Sequence, residues 1–594
     1  MDSQCTYYAS PAWQARVEAS LREWSMHMFL RFRAESGVNQ VRTNRGRTAA
    51  LERLGERLDE SPARLRWTPA WTLCQRYDAE TLGFTWDEVE TAWREVNMLA
   101  DAATDDPASA CPHEAVRDDR CLFHLPPDEK DDERVRDALV AAIESDDPAD
   151  RALDGARFGT LDLSNRELTA SVTVPIDLRF AVVHGGLDLS GTTIPDSMFS
   201  MRFATVRGDA SFRSARFGET ATFVGAGFRR NVSFYRSRFE SKARFTRARF
   251  GDEADGSPGG AEKDRRYATF AKAQFEQSAN FHGAQFTAVA NLDEAAGRGL
   301  TTLVDTSFAD EAHARDARFD DIRLAPAAAA TPVDLSRSRL DGGELRLTDS
   351  RADLTKGVLG DVDLVGSDEP GPRLDHLRLF RTEFDDFDVA GHRDAFEAVD
   401  WRIHGYGRDG GLRAAVGRWL GLWSDTTDAA LGMAGIENTY LRAKRGATAA
   451  GDTRAAGEFF RKEMGYRRLS HGERLRALPR RRGWTGLWRW VANLTMGATT
   501  GYGERPSRVV LSSAGLCLGF AVLYAAGLAP GSAGVPFREY VLFSFQSFIS
   551  FIIGTPPVPG VDSFGLRVFS ALEGFIGAFF VALFVFTLTR SVHR

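Results

Sequence analysis

The stretch CPHEAVRDDRCLFH sets Cys111 and His113 one residue apart, and Cys121 and His124 two apart. Two thiolates and two imidazoles form a donor set suited to structural zinc. The Cys-x-His spacing is tighter than in most such sites, so packed thiols beside hydrogen-bonded histidines remain the alternative reading. Zinc is the one cofactor these residues suggest. A second kind of chemistry, permeation, is suggested by FSFQSFISFIIGTPPVPG at 543–560, an apolar stretch near the end of the sequence. Elsewhere no nucleophile stands with a base, and there is no glycine-rich phosphate loop or paired-carboxylate site, so no enzyme is expected.

Permeation needs a membrane, and two segments could supply the spans. Residues 509–528, VVLSSAGLCLGFAVLYAAGL, carry no charge, and 564–589, FGLRVFSALEGFIGAFFVALFVFTLT, carry only Arg567 and Glu573. Both are long enough to cross the hydrocarbon core, although two buried helices of a soluble core would read alike. Residues 440–490 hold fourteen Arg or Lys against four acids, in a chain of 75 basic and 82 acidic residues. By the positive-inside tendency both termini face the cytoplasm, and the link 529–563 faces outward. Within that link FREYVLFSFQSFISF (537–551) predicts a re-entrant helix, and IIGTPPVPG (552–560) predicts irregular backbone. Irregular backbone at membrane depth is tolerated only where protein buries it or where it lines a wet cavity. Four copies around an axis would enclose such a path, whereas one hairpin encloses nothing. Glu573, a carboxylate inside a span, should have a partner or reach interfacial water.

From GERPSRVV onward the sequence resembles the two-helix pore module of the potassium-channel superfamily, in forms fused behind pentapeptide repeats. The family filter reads TTxGYGD, and the resemblance sets Ile549, Ser550, Phe551, Ile552, Ile553, Gly554 and Thr555 against it. Ser550 would replace a threonine hydroxyl, Ile552 stands at the first filter glycine, Ile553 at the tyrosine and Thr555 at the aspartate. A β-branched residue resists the backbone angles that glycine supplies, and Pro556, Pro557 and Pro559 remove amide donors. The resemblance therefore implies the architecture without potassium selectivity, and Phe551, Ile552 and Ile553 could form a dewetting constriction. EGFIG resembles the E-x-x-x-G setting in which an inward-rectifier glutamate supports the filter, which implies pore-support roles for Glu573 and Gly577. Phe579, Phe580, Leu583 and Phe584 are the inner-pore candidates. TTGYG at 499–503 matches a filter word more closely, but it precedes the first span. Fused channels carry similar wording there as the turn leading into that helix.

The long middle region must position this module. DASFRSARF, ETATFVGAGF, RNVSFYRSRF and SKARFTRARF place phenylalanines at 212, 217, 223, 228, 234, 239, 245 and 250. Steps of five and six alternate, a period that is neither helical nor simply alternating. A charged interruption, GDEADGSPGGAEKDRR, reads as a loop before the pattern resumes at Phe270, Phe275, Phe281 and Phe286. The pattern resembles the pentapeptide-repeat family, which implies a right-handed, four-sided β-solenoid with a central Phe or Leu and a small Ala inside. The sixth residue of alternate steps should bulge at a corner. Some members of that family mimic DNA, but the arginine-rich FRSARF to RFTRARF surface and a membrane tether argue against that role.

The expected organisation is thus a mixed fold. A helical region occupies 1–150, with PAWQARVEASLREWSMHMFLRF and DERVRDALVAAIES as amphipathic helices, and a β-solenoid occupies 155–390. A basic helical linker follows at 391–505, with two helices paired around GD between 439 and 469, and then the pore module at 506–594. Five cysteines make no disulfide framework and no secretory signal opens the sequence, so the N-terminal part is expected in the cytoplasm of a multi-pass membrane protein. The implied partners are inorganic ions, lipids and further copies of the chain, with a tetramer expected and no nucleic acid. The functional expectation is an oligomeric channel passing cations or anions without potassium selectivity. The alternative is a non-conducting, membrane-anchored scaffold.

Overall fold

The computed structural model describes residues 4–5, 111–145, 148–151, 153–169, 175–251, 266–366, 374–407, 430–477, 483–503, 505–528, 536–554 and 564–592. The expected helix at PAWQARVEASLREWSMHMFLRF and the loop GDEADGSPGGAEKDRR fall outside these, apart from the ends of the loop. The chain forms two compact units, one of Met1–Asp353 with Val365–Ser367, the other of Leu354–Leu364 with Asp368–Arg594.

In the first unit the phenylalanine period becomes a parallel β-solenoid. Each turn contributes four two-residue strands, for example Thr205–Val206, Ala210–Ser211, Arg216–Phe217 and Ala221–Thr222. Thr205 pairs with Gly227 of the next turn, a step of 22 residues, which is two five-plus-six units. Central rings therefore stack on their own kind, Phe212 on Phe234 at 4.5 Å and Phe223 on Phe245 at 4.9 Å, nearly parallel. The charged interruption does not break this register, since Phe234 stacks on Phe270 at 4.8 Å across it. Small residues such as Ala210, Ala221 and Ala243 fill the space beside the rings and are fully enclosed. A longer side chain there would overpack an interior already at crystal-like density.

The two step lengths make two corners. At five-residue steps the chain turns through a left-handed residue, such as Ser214, Arg236, Lys272 and Asp316, with φ near 57–59°. Six-residue steps turn as open bends instead. Asp or Asn at strand ends caps the turn beyond, as where Asn280 Oδ1 accepts from His282 N at 2.8 Å and Asn291 Oδ1 from Asp293 N at 2.9 Å. From residue 296 one corner straightens into longer strands, Ala296–Val304, Arg318–Ala325 and Arg339–Leu345. Gly343 allows this. Its φ is 121°, and a Cβ there would stand 2.0 Å from the Ile322 carbonyl oxygen.

A solenoid exposes a raw apolar face at each end unless something covers it. In this unit helix α1, Asp132–Glu144, lies at the N-terminal end, as DERVRDALVAAIES predicts, and buries Val135, Leu139 and Ile143. Asp131 starts it by accepting from Arg134 N at 2.9 Å. Asp132 Oδ2 accepts from Thr160 N of the first turn at 2.9 Å.

The second unit begins with the strand Val358–Leu364, paired to Glu383–Phe384. Helix α2 (Arg393–Ala398) follows, then α3 (Met433–Ala449) and α4 (Thr453–Ala477). The last two pair around Gly451-Asp452, as the GD motif predicts. Gly451 has φ 78°, and Asp452 Oδ1 accepts from Arg454 N and Ala455 N to start α4. Phe384, Phe387, Phe396, Trp401 and Phe459 form one aromatic cluster that fixes α4 on the strands. Helix α5 (Gly483–Thr500) leads to α6 (Pro506–Leu523), continued by a wider turn to Leu528. The short α7 (Phe537–Phe548) and α8 (Ser550–Ile553) come next, then the long α9 (Phe564–Val592). Mixed architecture, a β-solenoid with flanking helices and a two-helix membrane module, is the fold the sequence predicts.

Candidate membrane and metal sites

Helices α6 and α9 contain the two spans, Pro506–Ala526 and Phe564–Thr589, and only 22% of each apolar window is buried. Core helices of a soluble protein would be mostly enclosed, so these two suit a lipid surround. Helix α7 is about 18 Å long at 1.5 Å per residue, well short of a hydrocarbon core of about 30 Å. It packs between the two spans. Tyr540 and Phe543 meet Ala521, Tyr524 and Leu566, and Phe548 meets Val509, Cys517 and Phe580.

Glu573 is completely buried and lies behind α7. Tyr524 Oη donates to its Oε2 at 2.6 Å, and the Ser544 hydroxyl bonds its Oε1 while lying 2.8 Å from the Cys517 carbonyl oxygen. One carboxylate thus ties α6, α7 and α9 together, and it has a partner on each of the other two helices. Gly577, one turn further on, permits the close approach. A Cβ there would lie 1.8 Å from the Phe548 carbonyl oxygen, and one on Gly574 would lie 2.4 Å from Ser550 Oγ. Tyr524, Ser544 and Gly574 were not singled out from the sequence. The available signal was that each is polar or minimal within a bulky apolar segment.

The filter candidates occupy a helical turn. Gly554 N donates to Ser550 O at 2.7 Å and Ile553 N to Ile549 O at 3.2 Å, so these carbonyls are engaged locally. Phe551, Ile552 and Ile553 are exposed, at 81%, 67% and 58%. Gly554 follows in the left-handed region, at φ 89°. Thr555 and the proline-rich segment lie outside the described residues. Of the inner candidates, Phe580 is buried against Val509 and Cys517, and Leu583 and Phe584 pack partly on the same cluster. Phe579 is exposed, with Val568, Leu572 and Phe575 along the same side of α9. TTGYG forms the turn between α5 and α6, with Gly501, Tyr502 and Gly503 all at positive φ. Tyr502 Oη donates to Asn493 Oδ1 at 2.8 Å, and Arg508 Nη1 to the Gly497 carbonyl at 2.9 Å, locking the bend.

The Cys/His cluster lies beside the solenoid's first turn. Cys111 and His113 sit on the strand Cys111–Glu114, and the chain doubles back through Asp118 and Asp119, both at positive φ, as a type I′ turn requires. Val116 N donates to Arg120 O at 2.7 Å, closing the hairpin and returning Cys121 to Cys111. The two Sγ atoms stand 3.8 Å apart, His113 Nδ1 is 3.3 Å from Cys111 Sγ, and His124 Nδ1 is 3.1 Å from Cys121 Sγ. Cys111, His113 and Cys121 hold their ligand atoms within 4.8 Å of one another, so the cluster can coordinate a metal ion. Nearby, Lys130 Nζ donates to the Leu122 and Phe123 carbonyls at 2.9 and 3.0 Å, and burial pulls its ammonium down to about 8.

In comparisons with known proteins, no family model, no curated protein and no solved structure matches this chain.

Proposed function

We propose that the chain is one subunit of an oligomeric ion channel. Two spans with a half-length helix held between them, by a buried carboxylate with a partner on each of the other two helices, is the observation that carries this reading. It matches the resemblance to the two-helix pore module fused behind pentapeptide repeats. Four copies would enclose a path, with the α7–α8 end at its narrow mouth and Val568, Leu572, Phe575 and Phe579 open to lipid or to neighbouring copies. Helical carbonyls at Ser550 and Ile549 are spent on their own turn, so a potassium-type ladder of inward carbonyls is not part of the reading there. Passage without potassium selectivity, past the rings Phe551, Ile552 and Ile553, is. Both termini lie on the cytoplasmic side, the solenoid serves as assembly scaffold or gate, and no catalysis is assigned. For the Cys/His cluster zinc is the ion that suits the donors, as a structural and not a permeating ion.

One observation favours a second reading, a non-conducting membrane-anchored scaffold: the helical turn at 550–553 with its exposed apolar side chains. Purified protein reconstituted into planar bilayers under asymmetric salt separates the two. A reversal potential that follows one ion establishes conduction and its sign, and Ile553 substitution then shifts it. Silence from wild type and from Ile552→Gly alike would sink the channel and leave the scaffold.

A further inference from the structure

We propose that Cys111, His113, Cys121 and His124 hold one zinc ion in a closed, four-ligand site that fastens the segment 111–131 to the first turn of the solenoid. The inference deepens the zinc reading above and is independent of conduction. It rests on three observations beyond the donor set.

The first is the spacing of ligand atoms. A tetrahedral ion with Zn–S bonds of about 2.3 Å and Zn–N bonds of about 2.0 Å separates its two sulfurs by roughly 3.8 Å and each sulfur from a nitrogen by roughly 3.5 Å. The Sγ–Sγ separation is 3.8 Å, and the adjacent S–N separations are 3.3 and 3.1 Å. The ligand atoms of Cys111, His113 and Cys121 lie within 4.8 Å of one another, while His124 touches the cluster through Cys121 and closes on the ion as it binds. Both histidines offer Nδ1 to this cluster.

The second is the far side of each ring. His113 Nε2 donates to the Asp150 carbonyl at 3.0 Å, and His124 Nε2 to the Asp154 carbonyl at 2.9 Å. A carbonyl on the remote nitrogen fixes the tautomer that leaves Nδ1 bare for a metal. The same tautomer lets each thiol donate to its neighbouring Nδ1, so what points to a metal is that the two thiol–imidazole pairs meet, with their sulfurs 3.8 Å apart. Cys111, Cys121 and His124 are also enclosed, which fits a structural site with no open position for substrate.

The third is what those carbonyls belong to. Asp150 lies within a short helical turn, Pro148–Arg151, and Asp154 lies at the start of the first solenoid turn, where Gly155 N donates to Arg179 O at 2.9 Å. Arg157 N donates to Phe123 O at 2.8 Å, between the two metal-ligating halves and the first strand. An ion gripping the hairpin therefore also grips, through two imidazoles, the backbone that begins the solenoid. Among the described residues of the segment itself, Phe123 and Leu125 are its large buried apolar side chains. So small a cluster needs a staple.

Metal analysis of the full-length protein, purified in detergent without chelators, tests the site. Roughly one zinc per chain is expected, falling at least tenfold in a Cys111→Ser/Cys121→Ser double variant and severalfold in His124→Ala. Replacement by cobalt(II) should give the visible bands of a tetrahedral sulfur–nitrogen site. Wild-type protein that carries no zinc and takes up none when it is added overturns the site, as does a Cys111–Cys121 disulfide found by mass under non-reducing conditions. Cys5 stands opposite Cys111 in the short antiparallel ladder Gln4–Cys5 with Cys111–Glu114. Zinc lost in Cys5→Ser but kept in His124→Ala would overturn the ligand set. Hydrogen exchange on wild type then tests the staple: chelation should deprotect 111–131 and 150–160 while the turns beyond residue 200 stay protected. Zinc that leaves without changing exchange would overturn the fastening role and leave the zinc reading standing.

Discussion

The solenoid and the membrane hairpin are both built from phenylalanine, and they use it in opposite ways. In the solenoid every ring from Phe212 to Phe250 is essentially sealed inside one chain. In the hairpin Phe551, Phe564, Phe575, Phe579 and Phe586 are all more than half exposed. The solenoid's apolar surface is spent on neighbouring turns of the same chain, so its stability is a sum of local interfaces. Exposed rings at that density on a soluble surface would be an aggregation hazard; on the hairpin they suit a lipid surround or, in the reading proposed above, further copies. One region encloses its apolar surface within itself, and the other leaves much of its own uncovered.

The largest effect should come from breaking the self-enclosed region. Phe245 is stacked between Phe223 and Phe281 at 4.9 and 4.8 Å, with edge contacts to Phe234 and Phe270. Phe245→Ala opens a cavity that a β-solenoid cannot collapse without losing register, and should cost about 3–5 kcal/mol. Chemical denaturation of the full chain, read by circular dichroism of the β signal, measures it. A loss under about 1 kcal/mol would mean that the stacked column is not the spine of the unit.

Next comes a place where the hairpin is as tightly packed as the solenoid. Gly577→Ala drives a Cβ into the Phe548 carbonyl, which is backbone and cannot swing away, whereas Gly565→Ala on the same helix meets nothing within 4 Å. Overpacking of this kind costs about 1–3 kcal/mol. Thermal inactivation in lipid should separate the two variants clearly, with Gly565→Ala close to wild type. Equal behaviour would show that α7 does not sit against α9 at Gly577.

How much of this was legible follows from the same contrast. The alternating step of five and six disclosed a repeat, the resemblance to pentapeptide repeats implied a four-sided solenoid, and the structure keeps that step across the charged interruption. The corner chemistry was not legible, since Ser214, Arg236 and Lys272 adopt left-handed backbone without being glycine; only the repeat imposes it. In the hairpin the spans and the short helix could be read from length and polarity, and the GYG turn from its place before the first span and the resemblance to fused channels. The rotation of α9 could not, because that helix is apolar all round and no periodic stripe marks its packed side. That is why the four inner-pore candidates divide: Phe580 is buried, Leu583 and Phe584 pack partly on the same cluster, and Phe579 stays open beside Phe575. The Cys/His ligands were readable as residue types. Their convergence depends on two aspartates in a tight turn and on backbone carbonyls some 30 residues away, which no local pattern encodes.

The uncovered apolar surface of the hairpin can be tested without energetics. A photo-crosslinking amino acid at 575 or 579, activated in native membranes, should produce a ladder of multiples of the chain, or adducts with lipid. The same group at 580 should produce neither in quantity, because its neighbours belong to its own chain. Ladders from 580 that exceed those from 575 would reverse the rotation of α9.

The smallest effect belongs on the solenoid's outside, where polar pairs run between turns. Arg337 donates to both oxygens of Asp316 at 2.7 and 2.6 Å from the following turn, and this hydrogen-bonded guanidinium holds the Asp316 carboxyl below its ordinary range. A carboxyl depressed in the folded state stabilises it above the unfolded value near 3.9, and that contribution is lost as pH falls through the lower folded value. Both side chains are well exposed, so solvent screening keeps the contribution small. Asp316→Asn should therefore lower the melting temperature only slightly at pH 7, and by less at pH 2, as the falling pH approaches or passes the lowered folded value. A large loss at pH 7 would mean that the outer pairs carry stability the stacked rings do not. A difference that persisted unchanged at pH 2 would show that the asparagine disturbs the corner itself, where Asp316 holds φ at 57°.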